Sequence, residues 1–244
     1  MGIFQFKKFS VVNERSAMKV NTDGVLLGAV MTILPDDRKL LDIGTGTGTI
    51  ALMAAQRLAS LSAVSLRISA IDIDEPSATE AAHNFSNSPW ADWLRAYHMS
   101  LDQYAESLQE EDRFDLIFSN PPYFEDSLTA PDQRKSTARH TCDGLSYRDI
   151  FDFAAKRLSE KGRVAFVLPS DQETQLCRYA RMSGLHLFRM TKVRTVPRKA
   201  PSRMIAEFSR ERCDLPEEQL ITIQDEGKYT SQYLSLVQDY YIFA

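Results

Sequence analysis

Cysteine is scarce in this chain: Cys142, Cys177 and Cys213 are widely spaced and odd in number among 244 residues. That excludes a disulfide framework and a cysteine-based metal cluster, and predicts reduced, buried thiols. The four histidines are equally scattered, so no zinc or other metal site is expected. No apolar run approaches the roughly 18–20 residues that a membrane-spanning helix needs. The opening residues, MGIFQFKKFS, lack the apolar stretch and small-residue cleavage site of a secretory signal. Phe6 stands where N-myristoylation requires Ser or Thr, and a cytoplasmic location is predicted. Positive charge is not in excess either. Lys and Arg total 29 against 33 Asp and Glu, a net charge of −4, so a nucleic-acid partner must be gripped by a local basic patch. Repeats and low-complexity segments are absent.

What is present is an ordinary globular composition, 43% hydrophobic and 25% charged, with enough chain for one domain and a large core. From residue 39 onward, strand and helix signals alternate, which predicts an α/β fold with a largely parallel sheet. Strands are expected at Lys39–Ile43, Leu66–Ile73, Leu94–His98, Phe114–Ser119, Arg163–Leu168, Leu185–Thr191 and Arg203–Ser209. The last two are expected to pair antiparallel across Lys192–Ser202. Between them, Ile50, Ala51, Met53, Ala54 and Leu58 follow helical spacing, as do Ala78, Ala81, Ala82 and Phe85 after Glu75-Pro76. Helices are also read over Tyr147–Ser159, closed by Lys161-Gly162, and over Gln172–Ser183. Leu220–Ile223 and Tyr229–Phe243 suggest an extra strand and helix. Asp36-Asp37, Glu125–Leu145 and Glu211–Glu218 read as linkers. The whole, residues 1–244, is expected to be one domain: a covering segment (1–38), a core (39–210) and a C-terminal extension (211–244).

Three segments carry chemistry. In Leu41-Asp42-Ile43-Gly44-Thr45-Gly46-Thr47-Gly48, alternate glycines let backbone approach a ligand at the carboxyl end of the first strand. The helix N-terminus that follows offers unpaired N–H groups to an anion such as a carboxylate. The spacing departs from the dinucleotide fingerprint, because Thr49 stands in place of the third glycine. Asp72 ends the second strand 24 residues beyond Gly48, placed to accept both hydroxyl protons of a ribose. Ser119-Asn120-Pro121-Pro122-Tyr123 follows the fourth strand. The Asn120 carbonyl and a proline backbone carbonyl can each accept one N–H of an exocyclic amine, drawing electron density onto a nitrogen whose lone pair is delocalised. Two prolines stiffen the loop, and Tyr123 can stack on an extruded base.

These segments, in this order, resemble class I S-adenosylmethionine-dependent methyltransferases, and Asn120–Tyr123 resembles the Asn/Asp-Pro-Pro-Tyr/Phe motif of the branch that methylates amino groups. The resemblance implies a seven-stranded Rossmann-like sheet with helices on both faces and the last strand antiparallel. S-adenosylmethionine would lie at the first two strands, against Asp42, Gly44, Gly46, Gly48 and Asp72. It also implies a polar contact to the cofactor's adenine after the third strand, from Ser100 or Asp102. Phe4-x-Phe6-Lys7-x-Phe9-x-Val11 and Met18 to Ala29 narrow the match, together with Asn87–Trp90, Ala138–Thr141, Arg203–Phe208 and Tyr240–Phe243. They resemble a bacterial family that methylates the amino group of the adenosine 3′ of the anticodon in a valine tRNA. In that family's pattern, the helix opening at Thr22-Asp23-Gly24 lies over the cofactor, with Asp23 near it.

Basic residues gather where an RNA backbone would need them. Arg189, Lys192, Arg194, Arg198, Lys199, Arg203, Arg210 and Arg212 form one group, and Arg134, Lys135, Arg139 and His140 another. Arg134, Lys135, Arg139, Arg194, Arg198, Lys199 and Arg203 are the candidate contacts to an anticodon stem-loop. The rival readings are weaker. Protein-glutamine methyltransferases sharing the motif generally carry a helical domain ahead of the sheet, and only about 38 residues precede it here. For a DNA adenine methyltransferase, Glu125–Leu145 is too short to hold a target-recognition domain. A non-catalytic nucleotide-binding module would have no use for an intact Asn120–Tyr123.

Overall fold

The computed structural model describes residues 2–61, 66–121 and 145–243. The expected contacts Pro122, Tyr123, Arg134, Lys135 and Arg139 lie outside the described residues, as does Cys142. In chain order the elements are β1 (Ile3–Gln5), β2 (Ser10–Val12), α1 (Thr22–Val30), β3 (Lys39–Ile43), α2 (Thr49–Ser60), β4 (Arg67–Asp72), α3 (Glu75–Ser86), β5 (Leu94–His98), α4 (Leu101–Ser107) and β6 (Phe114–Ser119). There follow α5 (Tyr147–Arg157), β7 (Leu158–Pro169), α6 (Glu173–Met182), β8 (His186–Arg194), β9 (Arg203–Ser209), β10 (Glu217–Thr222), β11 (Gln224–Asp225), β12 (Lys228–Tyr229) and α7 (Ser231–Val237).

Eight strands form the central sheet in the order β10-β8-β9-β7-β6-β3-β4-β5. All run parallel except β9, which is antiparallel to both β7 and β8. The seven expected strands are therefore present, with the seventh reversed, and β10 adds an eighth at the edge. Central strands are apolar on both sides, as a sheet covered on both faces requires. Leu40 joins the core beneath α1, α2, α3 and α7, while the next residue, Leu41, joins the core beneath α4, α5 and α6. The two chain ends meet on the first of these faces. Phe6 bridges Tyr241, stacks on Phe9 at 4.5 Å, and is fully buried.

Several expectations are corrected. Asp37 is not a solvated linker residue: it is 2% exposed, accepts the Leu34 N–H at 2.8 Å and pairs with buried Arg163 at 2.6 Å. Lys161-Gly162 does not close a helix. α5 ends at Arg157, and Leu158 already pairs with Phe114, before a bulge that brings Arg163 opposite Leu116. Ala82 is exposed, because α3 buries the polar stripe Ser77, Glu80 and Asn84 beside Ala78, Ala81 and Phe85. The C-terminal helix spans only Ser231–Val237, with Tyr229 in a hairpin before it. Cys177 and Cys213 are unpaired but only half-buried. Among the described residues no helix is long and apolar enough to cross a membrane.

Candidate active site

The carboxyl ends of β3, β4 and β6 converge on the glycine turn. Gly44, Gly46 and Gly48 all adopt positive φ, at 72°, 56° and 80°, a region that costs L side chains energy. Their surroundings differ. A Cβ on Gly48 would lie 2.4 Å from the Phe85 ring, so that glycine lets α2 pack on α3. A Cβ on Gly46 would meet only ordinary contacts, the Ser16 hydroxyl at 3.4 Å and the Met18 carbonyl at 3.6 Å, so there the positive φ, and not packing, calls for glycine. The turn is tied to β4 by Gly44 and Thr45 N–H groups donating to the Ile71 carbonyl at 2.9 and 3.0 Å. α2 begins without a side-chain cap, leaving its first N–H groups facing the turn.

Two carboxylates frame it. Asp72 accepts the Gly46 N–H at 2.8 Å and the Asp74 N–H at 2.9 Å. Burial pushes its carboxyl above the usual range, against the pull of those two bonds. Asp42 is fully buried, accepts the Thr45 hydroxyl at 2.7 Å, and has its other oxygen unpartnered. Burial raises its carboxyl to about 7, with the Thr45 bond opposing and Asp72 adding to the rise. Asp74 caps α3 by accepting the Ser77 N–H at 3.0 Å.

At the end of β6, the Ser119 hydroxyl donates to the Ile43 carbonyl at 2.6 Å and locks the strand end to the glycine turn. Asn120 follows, 8% exposed. Its amide nitrogen donates to the Met18 sulfur at 3.4 Å, and its carbonyl oxygen is buried without a hydrogen-bond partner. Pro121 is buried beside it. A buried acceptor with no donor costs stability, so its retention at this point of the fold marks a site that receives one.

The expected covering segment includes a strap across this turn, but sequence reasoning missed what anchors it. Residues 13–20 are held by the polar stripe of α3. The Glu80 carboxylate accepts the N–H groups of Glu14, Arg15 and Ser16 at 2.8, 2.7 and 3.2 Å. Asn84 accepts the Val12 N–H at 2.8 Å and donates to the Val12 and Thr47 carbonyls at 3.0 and 2.9 Å. Ser77 donates to the Ser16 hydroxyl at 3.0 Å. A signal was available: Ser77, Glu80 and Asn84 recur at the three- and four-residue spacing of a single helix face.

The other expected contacts are spread more widely. α1 is capped by Asn21, whose side chain accepts the Gly24 N–H at 2.9 Å. Asp23 is engaged by Arg203 at 2.7 Å, at the β9 end of the sheet's carboxyl edge. Ser100 forms a capping box with Gln103 at the start of α4, and Asp102 is exposed on the same turn. In the basic group, Arg189 bonds the Val30 carbonyl and pairs with buried Glu207, Lys192 pairs with Glu173, and Arg210 bonds the Ala155 carbonyl. Arg194 bonds Thr222 and the Pro197 carbonyl. Arg198, Lys199 and Arg212 are exposed.

Residues 16–184 match the methyltransferase small domain family. A tRNA1(Val) (adenine(37)-N6)-methyltransferase of Parabacteroides distasonis is 40% identical over 98% of this chain and 97% of its own. One of the same description from Photobacterium profundum is 38% identical over 98% of each chain. The fold is similar to that of a predicted O-methyltransferase from Agrobacterium tumefaciens (TM-score 0.62, 16% identity, covering 89% and 96% of the two chains). It is also similar to the 16S rRNA N2 G1207 methyltransferase of Thermus thermophilus, solved with AdoMet and guanosine (TM-score 0.53, 21% identity, covering 83% and 47%).

Proposed function

The chain belongs to the methyltransferase small domain family and, within it, to the tRNA1(Val) (adenine(37)-N6)-methyltransferases, and on that premise we propose that it methylates the exocyclic amino group of the adenosine 3′ of the anticodon in a valine tRNA. The observation that carries the reading is the buried, unpartnered carbonyl oxygen of Asn120 at the carboxyl end of β6.

The residues present fit S-adenosylmethionine. Gly44 and Gly46 give the turn a positive-φ backbone with no side chain between it and a ligand at the strand ends, and α2 presents uncapped N–H groups to a carboxylate. Asp72 stands at the strand end with its carboxylate oriented by two backbone bonds, in position for ribose hydroxyls. Asp102 offers uncommitted oxygens to the adenine end, whereas the Ser100 hydroxyl already accepts a bond within its capping box. Asp23, at the start of α1 and paired with Arg203, is proposed to lie near the cofactor, as the family pattern implies. When bound, the cofactor supplies an electrophilic methyl carbon on a positively charged sulfur.

The chain's own residues act on the amine. Asn120 accepts one N–H through its side-chain carbonyl, and the Pro121 backbone carbonyl accepts the other, so the lone pair is directed toward the incoming carbon. As the N–C bond forms, positive charge develops on nitrogen, and both carbonyl dipoles stabilise it most at that moment. The displaced proton leaves through these acceptors to water, so no strong base is needed. Tyr123 is proposed to stack on the extruded adenine, with Pro122 stiffening the loop. Arg134, Lys135, Arg139, Arg198 and Lys199 are proposed to contact phosphates of the anticodon stem-loop. Mass spectrometry of nucleosides from tRNA incubated with the protein and methyl-labelled cofactor tests the reading. Label in N6-methyladenosine of a valine tRNA is expected; label in protein glutamine, or in no nucleoside, would overturn it.

A further inference from the structure

A cavity opens on the same edge of the sheet as Asn120, between the end of β8, the start of β9 and the β11–β12 hairpin. Its volume is about 360 Å³, within the range of small-ligand sites. Arg194, Arg203, Asp23, Gln224, Tyr229 and Tyr233 line it. It is separate from the Asn120 site. β9 lies two strands from β6 in the sheet, and β8 three, a separation of roughly 10–15 Å at ordinary strand spacing.

Its chemistry is that of a nucleotide site. Asp23 and Arg203 neutralise each other at 2.7 Å, so the second arginine sets the sign. Arg194 holds its place through Nε to Thr222 and Nη1 to Pro197, which fixes a cation at the rim. Exposed Arg198 and Lys199 continue the positive charge along the β8–β9 loop. Aromatic rings share the lining. Tyr229 is 42% exposed and stacks nearly parallel on Phe243 at 5.4 Å and 16°, and Phe243, itself 59% exposed, stacks on Tyr241 at 4.8 Å and 21°. Tyr229, which also packs on Tyr233 at 5.2 Å and 31°, keeps part of its ring exposed and shares the cavity lining with Arg194, the pairing that an unpaired base and its phosphate require. Tyr229 sits on a tight two-residue hairpin whose central residues, Glu226 and Gly227, both have positive φ.

We propose that this cavity takes a second unstacked nucleotide of the RNA being methylated, its base against Tyr229 and its phosphate at Arg194. The inference rests on the tRNA reading above and extends it: one captured base would set the register that delivers the target adenine to Asn120. An anticodon loop, with several unpaired bases in succession, can supply both.

Single abasic substitutions through the loop of a valine tRNA transcript, assayed with wild type, Tyr229→Ala and Tyr229→Leu, test it. In wild type, one abasic position other than the target should lower kcat/KM about tenfold, mainly through KM, the usual worth of one stacked base. In both variants, intact tRNA should already show that loss, and the same abasic position should add nothing. S-adenosylmethionine affinity and Tm report whether each variant is folded, and Tyr229→Leu keeps apolar contact with Phe243 while presenting no flat ring. If every abasic transcript loses the same factor in the variants as in wild type, no base sits on Tyr229 and the inference falls alone. If wild type methylates no intact tRNA, the underlying reading falls with it.

Discussion

Glu80 is buried on α3 and receives three backbone N–H groups of the strap that crosses the glycine turn. Replacing it with alanine removes all three bonds. Hydrogen bonds to a charged group contribute about 1.5–3 kcal/mol each, but Glu14 and Arg15 are exposed, so their N–H groups can turn to water. Ser16, 1% exposed, cannot. A net loss of about 3–4 kcal/mol in strap closure follows, equivalent to roughly a hundredfold to a thousandfold in the closed-to-open ratio. Hydrogen exchange reads that ratio directly: the amides of residues 14–20 should exchange faster by that factor, while those of β3 and β6 keep their protection. Glu80→Gln retains one acceptor oxygen and should fall between. Once the strap is mostly open, the open fraction appears as a penalty on cofactor affinity, so the Kd for S-adenosylmethionine should rise from wild type through Glu80→Gln to Glu80→Ala. Unchanged exchange at residues 14–20 in Glu80→Ala would mean that Glu80 does not hold the strap, whatever happened to activity.

Asp72→Ala should weaken S-adenosylmethionine binding by about 1.5–3 kcal/mol, the worth of a charged two-point contact; calorimetry giving wild-type affinity would remove Asp72 from the site. Burial raises the Asp42 carboxyl from 3.8 to about 7, so its contribution to stability is full below pH 4 and is lost as pH rises through 7. Asp42→Asn, which never ionises, should therefore gain on wild type between pH 4 and 8, and denaturant melts with a pH-independent difference would contradict that. Neutralising Arg198 and Lys199 together should raise KM for tRNA and flatten its dependence on log salt by about one to two, without changing cofactor affinity; identical salt slopes would make these residues a solvated face.

Local signals carried the core of the fold. Lys39–Ile43, Leu94–His98, Phe114–Ser119 and Arg203–Ser209 have the boundaries that their apolar runs and flanking turns indicated. So did the order of the glycine turn, Asp72 and Asn120 along the chain, because each lies at the end of a strand. The rest depended on contacts distant in sequence. Nothing near Arg189 shows that it will be spent on Val30 and Glu207, nor does Asp37 announce Arg163, 126 residues away. A cluster of basic residues in sequence is therefore not a cluster of available charges. Likewise Ala82 fits an apolar stripe, and only the N-terminal strap explains why α3 buries Glu80 and Asn84 in preference. Gly162 reads as a helix stop because the bulge opposite Phe114 and Leu116 leaves no periodic trace.

The unpartnered carbonyl of Asn120 is proposed to accept the adenine amino group and to act on it in the transition state. Single-turnover methylation of valine tRNA by Asn120→Ala, alongside calorimetric titration with S-adenosylmethionine, measures that role. A rate lowered about a hundredfold or more, the usual cost of one lost electrostatic contact to a transition state, with cofactor affinity within about twofold of wild type, is the predicted result. A variant that keeps more than about a tenth of the wild-type rate would contradict it.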